Sequence, residues 1–281
     1  MRIGAHISRA HGLKKIVDVA VSIRADTFQF FLSSPMNGRS VVLDRDDLEC
    51  FVDALRRFGL SPIMVHAPYI LNLCSHSLDH REFVVKVLNR EIEILEKYFP
   101  ASYYVLHPGN YLGSDAKVGL ELCSKLLSEV IRSCKNTTIL IETMSGKGTE
   151  ACSSFSELAW LFSKVNSESL AVCFDTCHVF SAGYDIASSS RSVLSEFDRL
   201  IGLNKIKAVH LSDSVFECNS RRDRHAIIGN GKIGKQALIK IIRLLPFETI
   251  FCLETPTTNE GHAREIEMIR KVLQNGNNSV Y

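Results

Sequence analysis

Short apolar runs alternate with longer amphipathic segments along the whole chain. The runs are rich in Val, Ile, Leu and Phe, which is typical of strands buried on both faces of a parallel sheet. Eight such strands are predicted, at residues 2–7, 27–32, 63–67, 103–107, 138–143, 170–175, 206–212 and 249–255. The segments between them, such as 12–23, 44–59 and 81–99, carry apolar residues every three or four positions, as amphipathic helices do.

Eight strand–helix units favour a closed (β/α)8 TIM barrel. Periodicity does not show whether a sheet closes, so an open doubly wound sheet is the alternative. The length of 281 residues suits one barrel of roughly 250 residues. We therefore expect a single domain over residues 1–281, ending in a short polar tail, QNGNNSVY.

Composition describes an ordinary globular protein, with 46% hydrophobic and 23% charged residues. The N-terminal segment MRIGAHISRAHGLKK lacks the apolar core and cleavage site of a signal peptide, and no run approaches the ~20 apolar residues of a membrane span. The nine cysteines have no paired spacing, which predicts free thiols and a cytoplasmic location. A formal net charge of +2 counts weakly against a nucleic-acid partner, before any bound metal is included.

Metal-ligand side chains stand where the predicted strands end. In a (β/α)8 barrel the C-terminal strand ends meet at one functional rim. Six consecutive strands, the third to the eighth, end in or beside one of these side chains: His66, His107, Glu142, Asp175, His210 and Glu254. His178 follows Asp175 closely, and the loop after the seventh strand adds Asp223 and His225. Each alone has an ordinary explanation, such as a helix cap for Asp175.

Together the nine side chains predict a metal site. Imidazole and carboxylate ligands without a cysteine pair suit zinc, and suit manganese or iron less well. Nine ligands exceed what one four-coordinate ion uses, whereas two or three ions sharing a bridging carboxylate would use them all. Clustered metals of this kind are suited to phosphoryl displacement.

The motifs resemble endonuclease IV, of the AP endonuclease 2 family, in order and spacing. They run from GAHIS to CLETP and comprise HAPY with LNL, VLHPG, LIET with GKGT, CFDTCH with AGYD, HLSDS, RRDRH with IGNGKIG, and CLETP. This resemblance implies three zinc ions per chain. The first would take His66 and His107, with Glu142 bridging it to the second. The second would also take Asp175, His210 and Glu254, and the third would take His178, Asp223 and His225.

The same resemblance implies hydrolysis of the phosphodiester 5′ to an abasic site, leaving a 3′-hydroxyl. Glu142 and Glu254 are the catalytic candidates. The expected partner is double-stranded DNA containing abasic sites, bound by a monomer. Three Zn2+ would add six positive charges to the formal +2, all at the rim.

The loop after the second strand, FLSSPMNGRS, departs from the family pattern. Family members usually place here an arginine that enters the DNA stack, but Met36 stands in that register and Arg39 follows three residues later. Either Met36 acts as an apolar wedge or Arg39 reaches in from a shifted loop. Tyr69 and Ile70 match the other inserting pair of the family, and apolar side chains can unstack a base step.

Three cations are expected to contact DNA phosphates, namely Arg222, Arg224 and Lys232. Lys232 lies in GNGKIG, residues 229–234, which fits the dinucleotide-binding pattern G-x-G-x-x-G. That pattern needs a preceding first strand of a βαβ unit, and here it follows a loop. The segment is therefore predicted to be a tight loop near DNA.

Two other functions compete with the nuclease hypothesis. A sugar isomerase or epimerase of the related barrel type uses a smaller metal set that resembles Glu142, Asp175, His210 and Glu254. It leaves the other five ligand-type residues without a role. A catalytically dead barrel that binds DNA or acts as a scaffold would be expected to lose ligands, and none is missing.

Overall fold

A computed structural model of the chain describes residues 1–40, 43–99, 101–113 and 115–276. Eight parallel strands form its central barrel: β1 (Arg2–His6), β2 (Thr27–Phe31), β3 (Met64–His66), β4 (Tyr103–Leu106), β5 (Thr138–Glu142), β6 (Leu170–Asp175), β7 (Ile206–Leu211) and β10 (Ile250–Leu253). A short antiparallel pair, β8 (Asp213–Ser214) and β9 (His225–Ala226), is inserted after β7.

The barrel is closed. Its strands follow the order β1-β10-β7-β6-β5-β4-β3-β2, and β1 pairs with both β2 and β10. The (β/α)8 prediction is confirmed, and the open-sheet alternative is wrong. Closure brings the C-terminal ends of all eight strands to one rim.

Helices surround the barrel: α1 (Leu13–Ser22), α2 (Arg45–Phe58), α3 (Leu78–Tyr98), α4 (Ala116–Val130), α5 (Phe155–Val165), α6 (Thr176–Ser181), α7 (Ile186–Leu200), α8 (Lys235–Leu244) and α9 (Asn259–Gly276). Two 3-10 turns span Ile131–Ser133 and Leu203–Lys205. Helices α2 to α7 are each preceded by an Asp or Ser whose side chain accepts a backbone N–H of the first turn. Such a cap stabilises a helix by roughly 0.5–2 kcal/mol and fixes where it starts. None of the helices in the part of the chain that the structure describes is long and apolar enough to cross a membrane.

Alternation along the strands divides the core into two layers. One set of strand residues packs outward against the helices, together with large rings such as Phe28, Phe51 and Phe174. The other set fills the barrel interior: Met64, Val105, Leu140, Ala171, Cys173, Ala208, Ile250 and Cys252. Side chains therefore fill the barrel, and its chemistry is confined to the rim.

Strand ends differ slightly from the prediction. Strand β6 ends at Asp175 as predicted, whereas the other seven end one or two residues earlier. His107 and Glu254 consequently lie just beyond the ends of β4 and β10. The predicted tail was partly wrong, because α9 continues to Gly276. Its remaining residues, 277–281, lie outside the described part.

Candidate metal centre

The nine predicted ligands gather at the C-terminal rim around Glu142, the last residue of β5. Its side chain is 1% exposed. Oε2 lies 3.1 Å from Nε2 of His107 and 3.3 Å from Nε2 of His66. Oε1 lies 3.1 Å from Nδ1 of His210 and 3.2 Å from Nδ1 of His178. One carboxylate thus contacts four imidazoles from four different strand ends.

Asp175, at the end of β6, combines the two roles considered for it. Its Oδ1 caps α6 by accepting the backbone N–H of His178 at 2.7 Å. Its Oδ2 lies 3.7 Å from Nδ1 of His210 and 3.6 Å from Nε2 of His225. The cap fixes the carboxylate so that its second oxygen points into the cluster.

A second group of ligands forms beside α6. Oδ1 of Asp223 lies 3.3 Å from Nε2 of His178 and 3.5 Å from Nε2 of His225. His178 comes from the first turn of α6, and His225 begins β9. The antiparallel pairing of β9 with β8 therefore brings this loop back over the rim.

Four of the five site histidines have one ring nitrogen bonded to a carbonyl oxygen. Because a carbonyl only accepts, that nitrogen must carry the proton, and the other nitrogen offers its lone pair to the centre. The partners are Ala67 O for His66 at 2.7 Å, Thr143 O for His178 at 3.0 Å, Glu254 O for His225 at 3.0 Å and Gln29 Oε1 for His210 at 2.8 Å.

Three buried atoms of the cluster have no hydrogen-bond partner within the described ranges: Asp175 Oδ2, His210 Nδ1 and His225 Nε2. A buried polar atom left unpaired costs roughly 1–3 kcal/mol. All three atoms are metal-ligand types and face the same cluster. The donor set therefore fits metal ions.

The pKa shifts of the site residues agree with a donor set that fits metal ions. Burial opposes ionisation of Glu142, but His210 and His107 outweigh it and hold its pKa well below the usual range. Burial alone would lower the pKa of His178, yet Asp175 and Asp223 raise it well above the ordinary value. For Asp223, burial is outweighed by the interaction with the nearby His178 ring, which lowers the pKa to about 2. The carboxylates thus draw positive charge to the ring nitrogens, and protons and metal ions compete for those positions.

Among the described residues, ligand atoms within 4.8 Å of one another form four groups. Three of them bring together the same residues as the resemblance implied: His66, His107 and Glu142; Glu142, Asp175, His210 and Glu254; and His178, Asp223 and His225. The fourth joins Asp175 and His225 with Cys177. Burial raises the pKa of the Cys177 thiol to about 11, which disfavours the thiolate that metals bind.

Gln29, in the middle of β2, was not among the predicted site residues. It is 0% exposed, and its amide contacts His6, His210 and Glu254. A glutamine within the otherwise apolar run TFQFFL was the available signal, because a buried amide needs polar partners. His262 is also buried, and its Nε2 lies 3.2 Å from the Thr255 carbonyl oxygen.

The apolar residues expected to enter DNA are exposed on the loops after β2 and β3. Met36, Tyr69 and Ile70 are 73%, 51% and 43% exposed. The Tyr69 ring packs edge-on against His66, and its backbone N–H donates to Pro35 O at 2.9 Å, which joins the two loops. Arg39 is also exposed, at the base of the Met36 loop.

The three cations expected to contact DNA phosphates are exposed, but two of them have partners within the protein. Arg222 lies over the Phe216 ring at 4.7 Å, and Arg224 is exposed in the same loop. Lys232 Nζ lies 2.8 Å from Glu217 Oε1, so an acidic partner offsets its charge.

A buried carboxylate holds the glycine-rich loop. Asp213 accepts the backbone N–H groups of Gly229, Ile233 and Gly234 at 2.9–3.2 Å. Those N–H groups are therefore unavailable to a pyrophosphate. The dinucleotide interpretation is excluded on this ground, as well as by the loop's position after β9.

Comparison with known proteins agrees with this geometry. Residues 17–272 match the family described as xylose isomerase-like TIM barrel. The probable endonuclease 4 of Alkaliphilus oremlandii (strain OhILAs) is 41% identical over 280 residues, which cover 98% of each chain. The crystal structure of endonuclease IV from Thermus thermophilus superposes with a TM-score of 0.86 at 32% identity, covering 98% of this chain and 100% of that one.

The barrel is also similar to that of a D-tagatose 3-epimerase-like protein. The TM-score is 0.79 at 20% identity, and all of each chain is covered. At that identity the similarity concerns the fold alone. The choice between nuclease and epimerase chemistry therefore depends on the side chains at the rim.

Proposed function

Because this chain belongs to the endonuclease IV family, we propose that it is a DNA repair endonuclease that hydrolyses the phosphodiester 5′ to an abasic site and leaves a 3′-hydroxyl. The observation that carries the proposal is the gathering of nine ligand-type side chains into overlapping groups on one rim. A chain that used a single ion would need only one of these groups.

We propose zinc as the metal, with three ions per chain held by His66, His107, Glu142, Asp175, His178, His210, Asp223, His225 and Glu254. Imidazole and carboxylate ligands at a catalytic rim suit zinc. When bound, such ions would polarise phosphate oxygens and lower the pKa of a bound water to about 7.

Glu142 and Glu254 are the proposed catalytic carboxylates. Glu142 contacts imidazoles through both oxygens, as a residue shared between two ions would. Burial opposes ionisation of Glu254, but His210 and His6 lower its pKa, so the carboxylate stays charged at neutral pH. Both side chains are then acceptors that hold cations beside the substrate.

Substrate binding is assigned to the residues around the rim. Met36, Tyr69 and Ile70 would fill the space left by the missing base, because apolar side chains can replace stacking. Arg39, Arg222, Arg224 and Lys232 would neutralise phosphates. Burial, followed by the charges of Glu254 and Glu142, raises the pKa of Tyr69, so its hydroxyl remains a hydrogen-bond donor. We propose a monomeric enzyme acting on duplex DNA in the cytoplasm, where its nine free cysteines would stay reduced.

The test is an end-labelled duplex with one abasic site, incubated with metal-loaded protein. We expect a single cut 5′ to the site, with a new 3′ end that a DNA polymerase extends. Protein stripped of metal by a chelator should not cut, and readdition of zinc should restore cutting. An undamaged duplex of the same sequence is the matched control. A loaded protein that leaves the abasic duplex intact would refute the proposal.

A metal-dependent sugar isomerase or epimerase is the second candidate, since the fold is shared with an epimerase-like protein. The group Glu142, Asp175, His210 and Glu254 would serve that chemistry. Conversion of a ketose by the loaded protein, without cutting of DNA, would favour this alternative.

A further inference from the structure

Gln29 occupies a position that apolar residues would otherwise fill. It lies at the centre of β2 with 0% of its surface exposed, between Phe28 and Phe30 in sequence. Burying an amide without hydrogen bonds is unfavourable, because the group loses its bonds to water. The side chain must therefore be satisfied by specific partners, and two of them, His210 and Glu254, are proposed metal ligands.

The contacts fix the orientation of the amide. Nε2 donates to Glu254 Oε1 at 2.6 Å, and lies 2.9 Å from His6 Nδ1. Oε1 faces Nε2 of His210 at 2.8 Å. An ionised carboxylate can only accept, so the NH2 group must face Glu254 and the carbonyl must face His210.

This orientation decides which nitrogen of His210 is free. Nε2 must carry the proton that the Gln29 carbonyl accepts, so Nδ1 is left with its lone pair. Nδ1 lies 3.1 Å from Glu142 Oε1 and 3.5 Å from Glu254 Oε2, and it has no hydrogen-bond partner in the described part of the chain. The same amide thus sets the ring of one proposed ligand and the carboxylate of another.

His210 differs in this respect from three other site histidines. The rings of His66, His178 and His225 bond to main-chain carbonyls, which every residue type carries. The ring of His210 bonds to a side chain 181 positions away in sequence. Its tautomer therefore depends on the identity of residue 29.

We propose that Gln29 is a positioning residue of the metal centre, which fixes the Nε2–H tautomer of His210 and the orientation of the Glu254 carboxylate. The metal part of this inference rests on the proposed function. Residues behind the direct ligands typically change metal affinity about 10–100-fold when removed.

The first test is Gln29→Met, which keeps the length of the side chain and removes both polar groups. In metal-free protein, long-range ¹H–¹⁵N correlation spectra at a pH where the ring is neutral should show the Nε2–H tautomer of His210 in the wild type. In Gln29→Met we expect a mixture of tautomers. Competition with a chromophoric chelator should show roughly 10–100-fold weaker zinc binding. Gln236→Met, at an exposed glutamine on α8, is the matched control and should change neither measurement.

If circular dichroism shows that Gln29→Met does not fold, a second variant provides the test. Gln29→Glu keeps an acceptor facing His210, so the wild-type tautomer should persist in it. Loss of that tautomer would contradict the inference, as would a folded Gln29→Met with unchanged tautomer and zinc affinity. The tautomer is read without metal, so it would test Gln29 even if the wild type proved to bind none.

Discussion

Glu142 shows how a single side chain organises this rim. It is buried, ionised and within 3.3 Å of four imidazole nitrogens, two on each oxygen. A neutral amide of the same shape would present one donor group where an acceptor is required. Its replacement therefore tests the centre with little change in packing.

We predict that Glu142→Gln lowers the rate of abasic-site incision by about three orders of magnitude or more, equivalent to about 4 kcal/mol of transition-state stabilisation. The circular dichroism spectrum should be unchanged. The measurement is single-turnover cutting of an abasic duplex. Glu168→Gln, at an exposed glutamate that lies 3.8 Å from Lys205, is the control. Turnover close to the wild-type value in folded Glu142→Gln would remove Glu142 from the mechanism.

At the scale of elements, hydrogen bonds hold the loop after β2 in a defined conformation. Arg90 of α3 donates to Ser33 Oγ at 2.8 Å and to Gly38 O at 3.1 Å. Ser34 N–H donates to Arg39 O at 3.1 Å. These bonds hold the two ends of the loop and leave Met36 at its exposed tip. Arg39 lies at the base, which favours Met36 as the inserted group.

We predict that Met36→Ala weakens binding to abasic duplex without changing the salt dependence, because a thioether contributes stacking and little electrostatics. Arg39→Ala should weaken binding less. The measurement is the dissociation constant across a salt series for both variants. A large loss for Arg39→Ala, with the slope reduced by about one counterion, would show that the arginine is the inserted group.

The junction between α3 and β5 depends on Glu96. Its carboxylate accepts the backbone N–H groups of Lys135, Asn136 and Thr137 at 2.8–3.1 Å. Burial opposes ionisation, but these bonds outweigh it and lower the pKa from 4.5 to about 2. A depressed folded-state pKa contributes stability above the unfolded value, and that stability is lost as the pH falls through the folded one. The relevant window runs from 4.5 down to about 2.

Glu96→Gln should therefore lower the free energy of unfolding at neutral pH by roughly 1–3 kcal/mol. It should also flatten the fall of stability below pH 4.5. Urea denaturation at a series of pH values measures both effects. Glu93→Gln, at an exposed site on the same helix, is the control and should match the wild type. Equal acid sensitivity of Glu96→Gln and wild type would contradict the assignment.

For the whole molecule, the decisive quantity is the number of metal ions. Nine ligand-type side chains from six strand ends and their loops meet at one rim. We predict about three equivalents of zinc per chain in purified protein, measured by elemental analysis. A single equivalent would favour the isomerase alternative.

Acidification should release this metal. The pKa values of His178 and His210 are raised above the ordinary value, because nearby negative groups outweigh burial. Protons therefore compete for the ring nitrogens as the pH falls, and metal affinity falls with it. We expect most of the zinc to be lost on gel filtration at about pH 5 and retained at about pH 8, and its retention at both would argue against these imidazoles as ligands.

The sequence alone determined the strands, the fold class and the residue types at the rim. The hydrophobic periods of strands and helices depend on residues that are near one another in sequence. A chain that repeats the strand–helix unit can form only a few sheet topologies. Once the barrel was assumed, the residue that ended each strand had to face the same rim. For this reason Glu142 and Asp175 could be assigned to one site although their strands differ. Helix starts, such as the Ser77 cap of α3, are equally local.

Tertiary structure decided what depends on distant partners. The free nitrogen of His178 is selected by a carbonyl 35 positions away, and that of His210 by Gln29 at a separation of 181. The charge of Lys232 is offset by Glu217 only because the loop folds back. Hydrogen bonds and ion pairs act over about 3–4 Å between groups whose separation in sequence is arbitrary, so no local pattern encodes them. The sequence pattern thus determined which ligand-type residues stand at the strand ends, and packing determined how their side chains are oriented.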